Sequence, residues 1–139
     1  MTVQPARHIG IGIECPFAET YEFLAEPENF PKWASGLGHS FEPAGGLDWR
    51  AQTPMGPMTL RFSARNEHGV LDHSVIPDDG APMHNPMRLL ANGEGCELVF
   101  TLYRRGGVTD EEYERDAAWV AHDLAGLKAL LESAGSLRA

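Results

Sequence analysis

The sequence predicts an α+β fold in which an antiparallel sheet of about seven strands is followed by one long C-terminal helix. Three observations lead to this prediction. Apolar and polar residues alternate in short segments between residues 7 and 103, as they do in strands with one buried face. After Thr109 the apolar residues recur every three or four positions, which indicates a helix. Two prolines interrupt a short helical segment that follows the first strand.

The predicted strands share a period of two. In the first, Ile9, Ile11 and Ile13 alternate with polar residues and glycine, so the isoleucines are expected to form one buried face. No helical segment separates the later strands, which favours an antiparallel sheet over alternating βαβ units. The strands are RHIGIGIEC, HSFEP, LDWRAQT, MTLRFSA, VLDHSVI, MHNPMRLLA and CELVFTLY, and TPMGPM is interpreted as a hairpin turn.

A bent pair of short helices is predicted in the segment PFAETYEFLAEPENFPKW. Pro16 suits a first helical turn, where its missing N–H would have no partner anyway. Pro27 ends this helix, and Pro31 leaves room for one further turn at most. The pair is expected to lie against the sheet through an apolar face. That face is formed by Phe17, Tyr21 and Leu24.

The C-terminal helix is predicted to run from about Asp110 to Ser133. Thr109 and Glu112 have the spacing of a capping box at its start. A helix of this length spans roughly 36 Å, enough to cross a small sheet. Its apolar stripe is formed by Tyr113, Ala117, Val120, Leu124, Leu127 and Leu131, with Trp119 and Leu130 on the flank of the stripe.

The charge balance excludes several classes of partner. The 139 residues include 11 Lys plus Arg and 20 Asp plus Glu, for a formal net charge of -9. This excess argues against binding to nucleic acid or to anionic membrane surfaces. No apolar run approaches the ~20 residues of a membrane span, and the N-terminus lacks a secretory signal. We therefore expect one cytoplasmic domain over residues 1–139, without membrane insertion, and a homodimer is compatible with the sequence.

The sequence contains no motif for a metal, a cofactor or a common hydrolase. Cys15 and Cys96 lack CxxC spacing and are interpreted as buried thiols. The six histidines form no metal-binding pattern, and most are expected to be solvated. Gly10 and Gly12 lie within a strand and do not precede a helix, as a dinucleotide-binding loop would require. No G-x-S-x-G elbow is present. We expect neither a metal nor a cofactor.

The order of these segments resembles the START-like, Bet v 1-like superfamily (SRPBCC) of helix-grip proteins, and within it the bacterial polyketide cyclase/dehydrase-like branch. The resemblance rests on the first strand, PFAETYEFLAEPENFPKW, the antiparallel strands and the terminal helix TDEEYERDAAWVAHDLAGLKALLE. It covers nearly the whole chain. It implies a curved sheet that grips the helix, a cavity between them, and the short helices at the mouth of that cavity. Trp33 would then form the lip of the cavity or anchor the short helices to the sheet.

The resemblance leaves two functions open. In the first, the cavity binds a hydrophobic small molecule, lipid-like or polyketide-like, and performs no chemistry. In the second, the protein is a cyclase or dehydrase acting on a polyketide-like substrate in the same cavity. Acid–base catalysis needs a positioned titratable group with a partner, and the inward strand positions offer only His73. Binding is therefore favoured. A third class, a pure interaction protein, would fill the cavity with its own side chains.

The candidate ligand-binding residues occupy inward positions of the predicted elements. His73 shares strand parity with Leu71 and Val75, so its imidazole is expected to face the helix. There it would be either a polar anchor for a ligand or a buried histidine satisfied by the protein itself. The other candidates serve equally well as core residues, because core and pocket lining share one face in this fold. They are Trp33, Trp49, Phe62, Met87, Phe100, Val120 and Leu124.

Overall fold

The computed structural model describes residues 2–37 and 40–138, and of residues 134–138 the backbone only. His39, in the predicted strand HSFEP, lies outside the described residues. Within those ranges the chain forms eight strands, two α-helices and one 3-10 helix. The strands are β1 (Ala6–Ile13), β2 (Ser40–Gly45), β3 (Asp48–Thr53), β4 (Gly56–Phe62), β5 (His73–Pro77), β6 (Met83–Asn85), β7 (Met87–Asn92) and β8 (Gly95–Tyr103). The helices are α1 (Phe17–Ala25), the 3-10 helix (Pro27–Lys32) and α2 (Asp110–Arg138).

The strands are arranged as two antiparallel sheets in the described part of the chain. One has the order β1-β8-β7 and the other the order β2-β3-β4-β5-β6. They meet beside β7, where the Leu71 amide donates to the Met87 carbonyl at 2.8 Å. The predicted segment MHNPMRLLA forms two strands in different sheets. Pro86 lies between them and has no N–H to donate to a sheet, which accounts for eight strands in place of about seven.

The predicted alternation of buried and exposed residues is confirmed in the strands that face the core. Leu60 and Leu98 are both 1% exposed or less, and their neighbours in sequence are more exposed. The TPMGPM segment forms the predicted hairpin, since β3 and β4 pair as far as Thr53 and Gly56. Cys15 and Cys96 are buried free thiols, as predicted.

The short helices follow the prolines, with one correction. α1 begins directly after Pro16 and ends before Pro27, as predicted. The next segment was predicted to form one turn at most but is a six-residue 3-10 helix that contains Pro31. It tolerates Pro31 because its hydrogen bonds use other amides. The Asn29 amide donates to the Glu26 carbonyl at 3.0 Å, and the Trp33 amide donates to the Phe30 carbonyl at 3.2 Å.

Helix α2 begins with the predicted capping box. The Thr109 amide donates to Glu112 Oε1 at 3.0 Å, and the Glu112 amide donates to Thr109 Oγ1 at 3.1 Å. α2 runs alongside β1 in the same direction, because Arg7 pairs with Glu114 near the start of both elements and Lys128 Nζ donates to the Gly12 carbonyl at 2.8 Å near the end of β1. The predicted apolar stripe is buried, apart from the partly buried Val120.

The core consists of two hydrophobic clusters. The larger lies between α1, α2 and the three-stranded sheet and contains Leu89, Leu98 and Leu127. The smaller is built from Phe30, Ala51 and Leu60, under the 3-10 helix. Trp33 packs against both clusters. None of the described helices combines the length and apolar character needed to cross a bilayer.

Candidate functional site

A pocket of about 240 Å³ lies where the two core clusters meet. We call it the aromatic pocket. Its floor comes from the sheets, through residues such as Leu60, Val75 and Phe100. α2 forms one wall with Trp119, Val120 and Leu124, and the 3-10 helix with the segment up to residue 37 forms the cover. The pocket therefore lies between the sheets and the C-terminal helix.

Aromatic rings surround the inner end of this pocket. Phe30 packs edge-to-face on Trp33, with the ring centroids 5.2 Å apart. The His73 imidazole lies 5.2 Å from the ring centroid of Phe30, 6.0 Å from that of Phe100 and 6.2 Å from that of Phe62. Such distances are those of favourable aromatic pairs. Together these rings hold the imidazole in one orientation in a largely apolar environment.

His73 faces inward, as its strand parity predicts, and is only 5% exposed. Burial lowers its pKa from 6.5 to about 4, because the charged imidazolium would lose its hydration there, although a hydrogen bond to the Leu71 backbone opposes the shift. The imidazole is therefore neutral at neutral pH. Its Nε2 atom lies 3.5 Å from Asn85 Nδ2. Since a neutral imidazole has one donor and one acceptor, the bond to Leu71 uses the donor and Nε2 is the acceptor.

Three further polar residues line the pocket, and sequence reasoning did not select them: Ser35, Asn85 and Asp123. Asn85 is paired with His73 in the β5–β6 ladder, and its parity with Met83 and Met87 could have indicated an inward position. Asp123 follows Trp119 by four residues, so the two share a helix face. Nothing in the sequence pattern distinguished Ser35.

Asp123 connects α2 to the cover of the pocket. Its carboxylate accepts a hydrogen bond from Ser35 Oγ at 2.6 Å and another from the Ser35 amide at 3.2 Å. On the same side, Gly36 approaches Trp119 so closely that a Cβ at Gly36 would lie 3.4 Å from the indole ring. The segment after the 3-10 helix is therefore held against the flank of α2, which is where the sequence placed Trp119.

The structure brings five of the eight predicted ligand-binding residues into the lining of the aromatic pocket: Trp33, His73, Phe100, Val120 and Leu124. The other three lie outside the lining. Trp49 stacks on Phe41 with ring centroids 4.8 Å apart. Phe62 lies behind the lining, in contact with Phe30. Met87 is 3% exposed in the larger core cluster.

A second, more open concavity of about 570 Å³ lies at the end of β1 and the β7–β8 turn. It is lined by residues 12–16, Asn92 and residues 94–96, and its charged groups are Glu14 and Glu94. It has no aromatic side chain in its lining. Across residues 2–37 and 40–138, no three His, Cys, Asp or Glu side chains are grouped so that they could hold a metal ion.

Solved structures share this arrangement of a sheet and a C-terminal helix. Ara h 8.0201 superposes with a TM-score of 0.71 over 94% of this chain and 99% of its own, at 12% sequence identity. The fold is the Bet v 1-like helix-grip fold. No protein-family model and no curated protein matches the sequence.

Two other solved structures are similar to this chain. An uncharacterised protein from Bacillus thuringiensis has a TM-score of 0.71 and 14% identity, over 91% of this chain and 98% of its own. DynU16, a protein encoded in the dynemicin biosynthetic locus, has a TM-score of 0.71 and 15% identity. The match covers 93% of this chain and 48% of DynU16, so this chain spans about half the length of that protein. At such identities the similarity shows the fold.

Proposed function

We propose that the protein binds a small hydrophobic molecule, lipid-like or polyketide-like, in the aromatic pocket. The observation that carries the proposal is the composition of the pocket, in which apolar and aromatic side chains surround a few converging polar groups. Ligand sites in proteins have this composition. The location of the pocket between the sheet and α2 supports the same function.

The volume of the pocket limits the size of the ligand. Its 240 Å³ is below the range of roughly 300–1,000 Å³ that is usual for drug-sized ligands. At about 30 Å³ for each water molecule in the liquid, it equals the volume of roughly eight waters. A single ring with one or two substituents fits this space. A larger ligand requires the cover, formed by the 3-10 helix and the segment up to residue 37, to move outward.

The alternative function is a polyketide cyclase/dehydrase-type enzyme acting in the same pocket. The observation that favours it is the placement of His73 beside Asn85, with Asp123 in the same lining. This alternative is less well supported because His73 is a weak base. A general base works best when its pKa is near the working pH, and the pKa of His73 is about 4. His73 is thus better suited to accept a hydrogen bond than to remove a proton.

The test compares two substitutions on α2. Val120→Phe fills the pocket from its wall, and Leu130→Phe adds similar bulk at a position that is 40% exposed. We expect mass spectrometry of organic extracts to find a stoichiometric small molecule in the wild type and in Leu130→Phe but not in Val120→Phe, with similar melting temperatures. Equal recovery from Val120→Phe would contradict binding in this pocket. Conversion of the recovered molecule by the wild type would favour the enzyme.

A further inference from the structure

We infer that the aromatic pocket selects small neutral ring compounds that carry a hydrogen-bond donor, such as simple phenols, and excludes carboxylates. This inference rests on the proposed function and names the ligand class of the same pocket. It follows from the hydrogen-bonding direction of His73, the sign of the charge at Asp123 and the size of the space.

The first argument is that His73 presents an acceptor to the pocket. Its ring N–H donates to the Leu71 backbone, so Nε2 carries the acceptor lone pair of the ring. The neighbour of that nitrogen is Asn85 Nδ2 at 3.5 Å, which is at the long limit for a hydrogen bond. A ligand hydroxyl at ordinary distance would make a better bond with Nε2. A ligand that has only hydrogen-bond acceptors could not bond to Nε2, because this nitrogen has no proton to donate.

The second argument concerns charge. Among the residues that the structure describes in the lining, Asp123 carries the only formal charge at neutral pH, and none is Lys or Arg. A carboxylate ligand would therefore lose its hydration without gaining a cation, and it would lie near another carboxylate. Both effects are unfavourable. A neutral ligand with a hydrogen-bond donor avoids both the loss of ionic hydration and the repulsion by Asp123. The Asp123 carboxylate also retains acceptor capacity beyond its two bonds to Ser35.

The third argument concerns shape. The rings of Phe30, Trp33 and Phe100 line a space of about 240 Å³, and aromatic rings favour edge-to-face or offset contacts with another ring. Compounds with one ring and a short substituent match both the volume and the lining. A phenol adds the O–H donor that His73 Nε2 can accept.

The experiment measures dissociation constants by calorimetry at pH 7 for three compounds that share a ring and a methyl group. 4-Methylphenol has a donor, 4-methylanisole has only an acceptor, and 4-methylbenzoate is an anion. We expect 4-methylphenol to bind about tenfold more tightly than 4-methylanisole, as one hydrogen bond with a matched partner allows. 4-Methylbenzoate is expected to show no binding under the same conditions.

Two variants test which residues cause the selectivity. His73→Phe keeps a ring of similar size and is expected to bind 4-methylphenol only as tightly as 4-methylanisole. Asp123→Asn can still accept a bond from Ser35 and is expected to bind 4-methylbenzoate measurably, whereas Asp116→Asn, at an exposed position of the same helix, should not. The wild-type series remains decisive even if His73→Phe fails to fold.

The outcomes separate this inference from the proposed function. Equal affinities of wild type for 4-methylphenol and 4-methylanisole, or binding of 4-methylbenzoate, would overturn the inferred ligand class and leave binding in the pocket intact. Absence of binding for all three compounds, together with no co-purifying molecule, would overturn both.

Discussion

At the scale of single residues, His73 shows how burial changes the chemistry of a side chain. The imidazole lies among three phenylalanine rings and is held neutral by loss of hydration. Its inward orientation is confirmed by its burial. Buried polar groups usually find protein partners, and here those are the Leu71 backbone and Asn85. The 3.5 Å distance to Asn85 is long, so a ligand hydroxyl could replace Asn85 as the donor to Nε2.

The lowered pKa of His73 predicts that stability depends on pH. The pKa is 6.5 in the unfolded chain and about 4 in the folded protein. Between these values the unfolded state binds more protons, so the free energy of unfolding falls as pH decreases from about 6.5 to about 4 and then levels off for this group. The loss is at most about 3 kcal/mol. Urea denaturation between pH 7 and pH 4 measures it.

His73→Phe is the control for this dependence, because phenylalanine does not titrate. We expect its free energy of unfolding to vary much less over the same interval. The carboxyl groups of Glu112 and Glu132, whose pKa values are lowered by hydrogen bonds, contribute at the acid end of the interval in both proteins, so the comparison isolates the imidazole. A wild-type slope that persists unchanged in His73→Phe would show that the imidazole is not held neutral.

Gly69 is a second position where the surroundings restrict the residue type, here to glycine. It has a φ of +70°, and a Cβ there would lie 2.2 Å from the Leu89 carbonyl oxygen. Gly93 has a similar φ of +59° but has open space around it. We expect Gly93→Ala to cost about 1–2 kcal/mol from backbone strain alone, and Gly69→Ala to cost clearly more, because the Gly69–Leu89 pairing must also shift. Equal unfolding free energies for the two variants would refute the close approach.

At the scale of elements, α2 combines a local start signal with a long apolar stripe. The capping box satisfies two amides at its first turn, and the stripe packs on the three-stranded sheet through residues such as Leu124, Leu127 and Leu131. Leu124 and Leu127 are 1% exposed or less. The stability of this helix therefore depends mainly on the packing of its stripe in the larger core cluster, since propensity contributes less than packing in most proteins.

Leu124→Asp is expected to abolish folding. It would place an unpaired carboxylate in the larger core cluster, which costs several kcal/mol against a total stability of roughly 5–15 kcal/mol. Circular dichroism and thermal melting measure the effect. Leu130→Asp is the matched control, because Leu130 is on the same helix but 40% exposed, and it should melt within a few degrees of wild type. A folded Leu124→Asp protein with an unchanged melting temperature would contradict the packing of this stripe.

At the scale of the whole molecule, the aromatic pocket exists because different elements cover the two sheets. α2 lies along β1, whereas the smaller cluster of the five-stranded sheet is covered from Phe30 onward by the 3-10 helix and the segment after it. At the boundary between α2 and the 3-10 helix, neither element fills the space over the sheets. This space is the aromatic pocket. Ser35 and Asp123 join the two covers at that point.

We predict that the short helices open more readily than α2. Gating elements generally belong to the less stable part of a structure, and the 3-10 helix has only six residues, with the poorer hydrogen-bond geometry of that helix type. Hydrogen exchange should therefore be faster for the amides of residues 17–33 than for those of residues 120–131, and a bound ligand should slow it. If both segments exchange equally slowly, with or without a ligand, the cover is a rigid lid without a gating role.

The sequence by itself determined the local periods and therefore much of the fold. The parity of Ile9, Leu60 and His73, the stripe of α2 and its capping box are all patterns within one element, and such patterns fix which face of that element is buried. The prolines also predicted where α1 begins and ends. The 3-10 helix is longer than the one turn predicted, because the backbone bonds at its ends come from amides other than the one that Pro31 lacks.

Only the tertiary structure decided which buried residues meet. Trp49 and Phe100 have the same inward pattern, yet Trp49 stacks on Phe41 whereas Phe100 lines the aromatic pocket. The separation of the two sheets at Pro86, the approach of Asn85 to His73 and the contact of Ser35 with Asp123 likewise depend on the pairing of distant segments. Periodicity states that a side chain is buried, but the neighbours of that side chain are set by long-range packing, for which one sequence carries no local signal.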